Sequence, residues 1–290
     1  MTNKNCETTT SLRTPRLLIW SREVMFLGTC FSRQETFRTT QDVLLVCLQG
    51  QMVVRAGARE PVTTRSCLLP PGVLLDDTLL DNSRAVMGIY YLAPYSQDYP
   101  ALASVMACLE GGICCHHPDE DALIRAMKAV RNEPGITAAE ARARIRRILI
   151  PPPLRGLSFR EFDPRVISVA RQVRTNFHTA PSLSELAESV SLSESRLEKL
   201  FKEQTGLPIT QYRVRYRVFI STIAMALGYS VTEASLLAGF SNSAHLSRCY
   251  RQVNGLTPSS TFLSQPYVDA ILDDSAVELV DTLLDPQPVA

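Results

Sequence analysis

The sequence predicts an α+β chain of two unlike parts, a β-rich segment with trailing helices and then an all-helical module. Three observations predict it. Short apolar runs of strand-forming residues, cut by hard turn signals, fill much of the first hundred residues. A helix–break–helix pattern occurs twice between residues 182 and 255. The charge is also uneven. Residues 164–264 carry 11 Lys and Arg against 6 Asp and Glu, residues 1–150 carry 17 against 15, and residues 265–290 carry none against 6. The formal net charge of +1 hides a basic module behind an acidic tail. Clustered Lys and Arg replace counterions along a phosphate backbone, which points to nucleic acid.

Bulk properties bound the answer. The 290 residues fit two domains of ordinary size, and 45% apolar with 20% charged residues support a real core. No apolar run approaches the roughly 18 residues of a membrane span. The start, MTNKNCETTTSL, has no apolar core of a signal peptide. The expectation is a cytoplasmic protein without a membrane partner. Eight cysteines (Cys6, Cys30, Cys47, Cys67, Cys108, Cys114, Cys115 and Cys249) lie in a chain neither short nor visibly secreted, so they read as reduced, small hydrophobes.

The elements follow in order. Residues 43–48 (VLLVCL) and 52–56 flank Gln49-Gly50-Gln51 as a hairpin. Residues 66–69 end at Pro70-Pro71-Gly72, and 85–92 (AVMGIYYL) form another strand. Such short strands predict a small sandwich or barrel, with strands to about residue 96. Residues 119–131 carry Leu123, Ile124, Met127 and Val130 on one helical face. Residues 137–150 start with Thr137 and Glu140 at capping-box spacing and stop at Pro151-Pro152-Pro153. This division gives a domain over 1–150, a stiff linker over 151–163, a helical module over 164–264 and an acidic, helical tail over 265–290.

The module begins with a helix over 165–176. Ser182-Leu183-Ser184-Glu185 starts the next, with Ser184 read as its N-cap. A break at Ser191-Leu192 leads to Ser193, which caps a helix through Lys202 that Gly206 ends. A long helix spans 209–227. The layout then returns: residues 232–238, a break at Gly239-Phe240-Ser241, and a helix from Ser243 to Val253 ended by Gly255. The second helices, starting at Ser193 and Ser243, are offset by 50 residues. Two helix–turn–helix motifs on one long helix can enter successive major grooves, roughly 34 Å apart.

Residues 183–217 and 231–262 resemble the AraC/XylS family of bacterial transcription regulators. The most specific pieces are Arg196-Leu197, Leu200-Phe201-Lys202 and Thr205-Gly206, then Gly239-Phe240-Ser241, Leu246-Ser247-Arg248 and Gly255-Leu256-Thr257-Pro258. The resemblance implies a cupin-like β-barrel for sensing and dimerisation ahead of the DNA-binding module. It also implies double-stranded DNA and RNA polymerase as partners, a homodimer and a small-molecule effector. An activator is the expected sign of regulation, and no cofactor is expected. Within the family's motif, Ser195, Arg196 and Lys199 face the groove from the first recognition helix, beside Glu198, with Lys202 on phosphate. From the second helix come Ser243, Ala244, His245, Ser247 and Arg248, with Arg251 also outside. Leu197, Leu200 and Phe201, and Leu246 and Tyr250, pack inward.

Several features stay open. Cys114-Cys115-His116-His117, with Cys108 nearby, reads as small hydrophobes in a Gly-rich loop, as soft metal ligands or as redox thiols. Arg16, Arg22, Arg33 and Arg38 are scattered candidates for an anionic effector. The stretch 212–217 alternates Tyr or Val with Arg. It reads either as a phosphate-touching strip or as Tyr212 packed on Tyr216 beside surface charge. The helix over 119–131 serves dimerisation or packs on its own barrel. The tail packs on the module, competes for its basic surface or binds another protein. The alternative to effector control is a regulator governed by a protein partner or by cysteine-based metal or redox sensing, its barrel serving dimerisation alone. None of the four histidines, His116, His117, His178 and His245, lies in the β region, and no P-loop, GxGxxG or GxSxG occurs, so no enzyme is expected.

Overall fold

The N-terminal apolar runs are continuous rather than alternating, the pattern of strands covered on both faces. The computed structural model describes residues 14–29, 37–56, 60–75, 80–81, 86–265 and 267–284. The first strands are β1 (Arg16–Ile19), β2 (Val24–Thr29), β3 (Phe37–Arg38), β4 (Val43–Gln49) and β5 (Met52–Val54). Next come β6 (Val62–Thr64), β7 (Ser66–Leu69), β8 (Leu74–Leu75), β9 (Leu80–Asp81) and β10 (Val86–Tyr91). Helix α1 (Asp98–Ala103), strands β11 (Ala107–Cys108) and β12 (Cys114–Cys115), and helices α2 (Glu120–Asn132) and α3 (Ala138–Leu149) follow.

The main sheet has the order β11-β12-β7-β4-β10-β2-β1, antiparallel throughout. From β4, Leu44, Val46 and Leu48 face α2 and α3, while Val43, Leu45 and Cys47 face the small β5 and β8 strands. Gly88 lets α2 approach, since a Cβ there would lie 2.7 Å from the Met127 sulfur. Thr137 and Glu140 form the expected capping box of α3. From α3, Arg142 holds the buried Glu23 with two hydrogen bonds, 2.7 and 3.1 Å, and Tyr90 donates a third at 2.9 Å.

Three expectations for this half change. Among the described residues the sheet stays open instead of closing into a cupin-like barrel. Both of its faces are apolar and each is covered by other elements, α2 and α3 on one side and the small strands on the other. Strands also continue beyond residue 96, as β11 and β12. The apolar face of α2 (Leu123, Ile124, Met127 and Val130) is buried in the sheet's own core, so it is not a free dimer surface.

The C-terminal module is helical. It contains α4 (Pro164–Thr175), α5 (Leu183–Glu188), α6 (Glu194–Thr205) and α7 (Ile209–Ala226). It continues with α8 (Val231–Leu237), α9 (Ser243–Asn254) and α10 (Pro258–Phe262). The proline linker is docked rather than free. Gln97 Oε1 accepts the Phe159 and Arg160 amides, and Gln204 Oε1 accepts that of Asp163.

The tail departs from the expected all-helical form. It adds β13 (Asp269–Leu272), paired in parallel with β1, and only then α11 (Asp274–Leu284). The Asp269 amide donates to Pro15 O and the Asp273 amide to Ile19 O. Arg16 Nε meets Asp269 at 2.9 Å, which pairs one of the scattered arginines with a tail acid. Ala276 and Val280 of α11 are buried against α7 and β1 in one shared core. An amphipathic segment beside an open strand edge gains both ladder hydrogen bonds and apolar burial by docking there. Among the described residues, no helix is long and apolar enough to cross a membrane.

Truncation after Ser264 removes this packing and bares the β1 edge. We expect a loss of at least about 3 kcal/mol, or roughly 6 °C or more in Tm, together with self-association. Thermal unfolding and light scattering check both.

Candidate nucleic-acid interface

The two helix–turn–helix units are built by the same local rules. Ser182 and Ser230 cap α5 and α8, each in a reciprocal box with the Glu three residues on, Glu185 and Glu233. Ser182 therefore takes the cap assigned to Ser184, because its Glu stands at the box spacing. The turns that follow need one left-handed residue each. Ser191 has φ +54° and Gly239 has φ +73° at the equivalent place. Ser193 and Asn242 then cap α6 and α9, accepting the amides of Arg196 and His245. The cap of the second unit is thus Asn242 rather than Ser243, and the repeat offset is 49 residues, not 50. Gly206 and Gly255 end both helices in left-handed conformation.

Burial sorts the faces as expected. On α6, Leu197, Leu200 and Phe201 are buried, Ser195, Arg196, Lys199 and Lys202 are exposed, and Glu198 is half-buried. Lys199 lies 3.9 Å from Glu203, a weak exposed pair. On α9, Leu246, Cys249, Tyr250 and Val253 are buried. Ala244, Arg248 and Arg251 are exposed, and Ser243, His245 and Ser247 are half-buried. His245 is partly committed to the turn: its Nδ1 lies 3.3 Å from Ser241 Oγ and its ring stands edge-on to Phe240. The tail docks on α7 and β1, away from these exposed faces.

Helix α7 holds the two units together and is buried nearly all round. Tyr212 and Tyr216 do not pack on each other. Tyr212 stacks with Phe201 and Tyr95, and Tyr216 with Phe177 and Phe219. The arginines of this stretch are half-buried rather than surface charge. Arg213 and Arg217 donate to the carbonyls of Pro181 and Phe177 in the α4–α5 loop. Buried Ser221 and Thr222 return their hydroxyl hydrogens to Val218 O, which satisfies them inside the helix.

Between α7 and the sheet lies a cleft with a cavity of about 100 Å³. Leu17, Val24, Phe26 and Ile89 line it from the sheet, and Tyr216 and Phe219 from α7. Arg22, Arg174 and Arg215 line it too, and among the described residues no carboxylate does. Burial and the charge of Arg174 depress the Arg22 pKa, so these cations already strain against one another. Arg215 Nε is buried without a hydrogen-bond partner. Sequence reasoning named Arg22 among its scattered anion candidates but did not join it to Arg174 and Arg215, because the three come from a β-turn, α4 and α7. Of the arginines it did consider, Arg38 donates to Gly72 O and Arg33 lies outside the described residues.

A second cavity abuts the first and is lined by Asp42, Tyr99, Arg160, Glu203 and Arg215. Burial raises the Asp42 carboxyl to about 7 despite the opposing charges of Arg160 and Arg215, with Asp98 adding to the rise.

The cysteine–histidine stretch does not form a metal site. Among the described residues no group of three His, Cys, Asp or Glu is placed to hold an ion. Cys108 and Cys114 are instead joined as a disulfide, which departs from the expectation of uniformly reduced thiols. Cys115 is buried opposite Cys67. His117 is buried, its Nδ1 accepts the Asp119 amide, and its Nε2 therefore donates to Leu149 O. Both nitrogens are spent, and burial lowers its pKa, which fits a neutral ring. His116 is exposed with Nδ1 3.3 Å from Thr64 Oγ1. Cys6 and Cys30 lie outside the described residues.

Residues 186–263 match the family model described as a helix-turn-helix domain. The HTH-type transcriptional regulator RipA of Corynebacterium glutamicum is 30% identical over 93 residues, 32% of this chain and 28% of RipA. GbdR of Pseudomonas aeruginosa, also an HTH-type transcriptional regulator, is 26% identical over 105 residues, 36% of this chain and 29% of GbdR. The chain thus spans less than a third of the length of these relatives. ToxT from Vibrio cholerae shares the fold over 82% of this chain and 96% of its own, with a TM-score of 0.51 and 10% identity. Another ToxT structure, bound to (E)-4-(8-methylnaphthalen-1-yl)but-3-enoic acid, gives 0.50 and 9% over 85% of this chain and 97% of that one. A sheet-rich N-terminal half joined to a doubled helix-turn-helix module defines the class. Residues 186–263 carry the likeness to these HTH-type transcriptional regulators, and the likeness to ToxT is one of fold.

The Asp42 shift has a signed consequence. The native state keeps the proton up to about pH 7, whereas an ordinary Asp releases it near 3.8. Stability is therefore full below about pH 4 and falls as pH rises to 7. Asp42→Asn removes that loss, so its Tm advantage over the wild type grows from pH 5 to pH 8, as melting curves across that range will register.

Proposed function

We propose that the chain is a transcription regulator that reads double-stranded DNA with α6 and α9 in adjacent major grooves. The observation that carries this reading is the doubled unit, built on the same capping pattern around one central helix, with basic side chains on its outer faces. Ser195, Arg196, Glu198 and Lys199, and Ser243, Ala244, His245, Ser247 and Arg248, meet base edges. Lys202 and Arg251 meet phosphate. RNA polymerase is the partner that such a role requires, and a homodimer doubles the site. Selection from a random duplex pool tests the reading. It is expected to enrich two short blocks about one helical turn apart. Arg196→Ala and Arg248→Ala should each relax one block at a cost of about 1–3 kcal/mol, while Lys202→Ala weakens all sequences and flattens the salt dependence. Weak, unselective binding by the full chain would sink it.

The cleft supports control by a small carboxylate with an apolar body. Its walls are largely apolar, three arginines and no carboxylate among the described residues line it, and it touches both halves, so a ligand there favours one arrangement of them. ToxT in complex with an arylbutenoic acid offers a parallel in ligand chemistry. Decanoate is expected to raise Tm where decanol does not, and Arg215→Ala should remove most of that rise. Equal shifts from acid and alcohol would reject the arginine trio as the anion site.

A further inference from the structure

We propose that Cys108 and Cys114 form a reversible thiol–disulfide site that sets the seat of the first recognition helix. The inference rests on the reading that α6 contacts DNA. Chromosomal DNA lies where low-molecular-weight thiols keep cysteines reduced, so a disulfide there is conditional rather than permanent.

The placement suits reversible chemistry. The pair closes the β11–β12 hairpin at the outer edge of the sheet, across a sequence separation of six residues. Cys108 is exposed and Cys114 is buried beneath it. Cys47, Cys67, Cys115 and Cys249 are all buried, and burial pushes the Cys47 thiol up to about 12. Among the described residues, then, Cys108 is the sulfur that a solution reagent reaches.

The hairpin is also mechanically connected. Tyr99 donates its hydroxyl hydrogen to Gly112 O at the hairpin turn. A Cβ on Gly112 would lie 2.8 Å from that hydroxyl and 3.4 Å from Pro70 Cγ, so the turn leaves no room for a side chain between them. The next residue, Pro71, abuts Gly206, where a Cβ would lie 2.8 Å from Pro71 Cβ. Gly206 is the left-handed cap that ends α6. Strand β12 pairs with β7, which runs straight into Pro70. The disulfide hairpin, the Pro70-Pro71 turn and the end of α6 are thus successive neighbours along one line of the fold, around the second cavity.

Oxidation balances with a hydroperoxide. The Cys108 thiolate attacks the O–O bond and releases the alcohol, leaving a sulfenic acid. Cys114 sulfur then displaces water, so that two thiols and ROOH give disulfide, ROH and H₂O. In reverse, a low-molecular-weight thiolate attacks Cys108, Cys114 leaves and takes up a proton, and a second thiol completes the reduction. The oxidised hairpin holds Gly112 against Tyr99 and Pro70. Reduction loosens that turn and, through Pro71, the end of α6.

The test uses the full chain in glutathione buffers of graded redox poise, with alkylation and mass mapping of Cys108 and Cys114. Hydrogen exchange over residues 199–207 and affinity for the selected duplex are read in parallel. We expect the pair to titrate reversibly, exchange at 199–207 to slow on oxidation, and the block read by α6 to bind about tenfold more tightly. Cys108→Ser should behave as the reduced form at every poise. Pro71→Ala should still oxidise but lose the exchange and affinity responses. A pair that never forms, or exchange at 199–207 that ignores redox state, overturns the proposal whatever DNA does. A redox-dependent exchange without any DNA selectivity upholds the coupled site and sinks the DNA reading instead.

Discussion

Everything in this molecule turns on the burial of α7. A helix that presents apolar or aromatic side chains on most of its circumference must be enclosed, and no single neighbour can enclose it. One side packs into the first helix-turn-helix unit through Tyr212 and another into the second through Tyr216 and Ile223. The sheet supplies Leu17 and Ile19, and the tail supplies Ala276 and Val280. The two helix-turn-helix units and the sheet therefore share a core instead of meeting at a flexible joint. A change at the sheet is felt at α7, which fixes the spacing of α6 and α9.

The same constraint explains the tail. Without β13, strand β1 would offer an unpaired edge beside an apolar helix, a surface that invites aggregation. The acidic character of the tail serves local pairing, as between Asp269 and Arg16, rather than cover for the recognition faces. It also explains the charges left in the cleft. Arg215 reaches the junction because α7 does, and nothing opposite neutralises it fully. Asp42 responds from the next cavity with a raised pKa, since desolvation there outweighs the attraction of Arg160 and Arg215. The charges at this junction are buried and imperfectly matched.

Much of the helical module was legible in the sequence because its rules are local. Ser, Asn and Thr caps, a Glu three residues on, and a Gly at the helix end act within one or two turns of the chain. The one-residue error in the repeat offset arose because Asn242 and Ser243 are both competent caps, and backbone geometry chose between them. The faces of α6 and α9 were equally legible, since 3.6-residue periodicity fixes which side chains turn inward. The open sheet, the β13 pairing and the arginine trio were not, because each joins residues far apart in sequence. The Tyr–Arg strip of α7 misled for the same reason. Local spacing placed Tyr212 beside Tyr216, but two separate cores pulled them apart.

The sequence by itself determined the doubled helix-turn-helix module, the glycines that end its second helices, its polar outer faces and the strand-forming character of the first hundred residues. The tertiary structure alone decided that the sheet stays open, that the tail completes it, that Cys108 meets Cys114, and that Arg22, Arg174 and Arg215 share a cleft. The division follows the range of the forces. Capping and periodicity act over a few residues and can be read along the chain, whereas burial and charge pairing depend on which distant surfaces fold together.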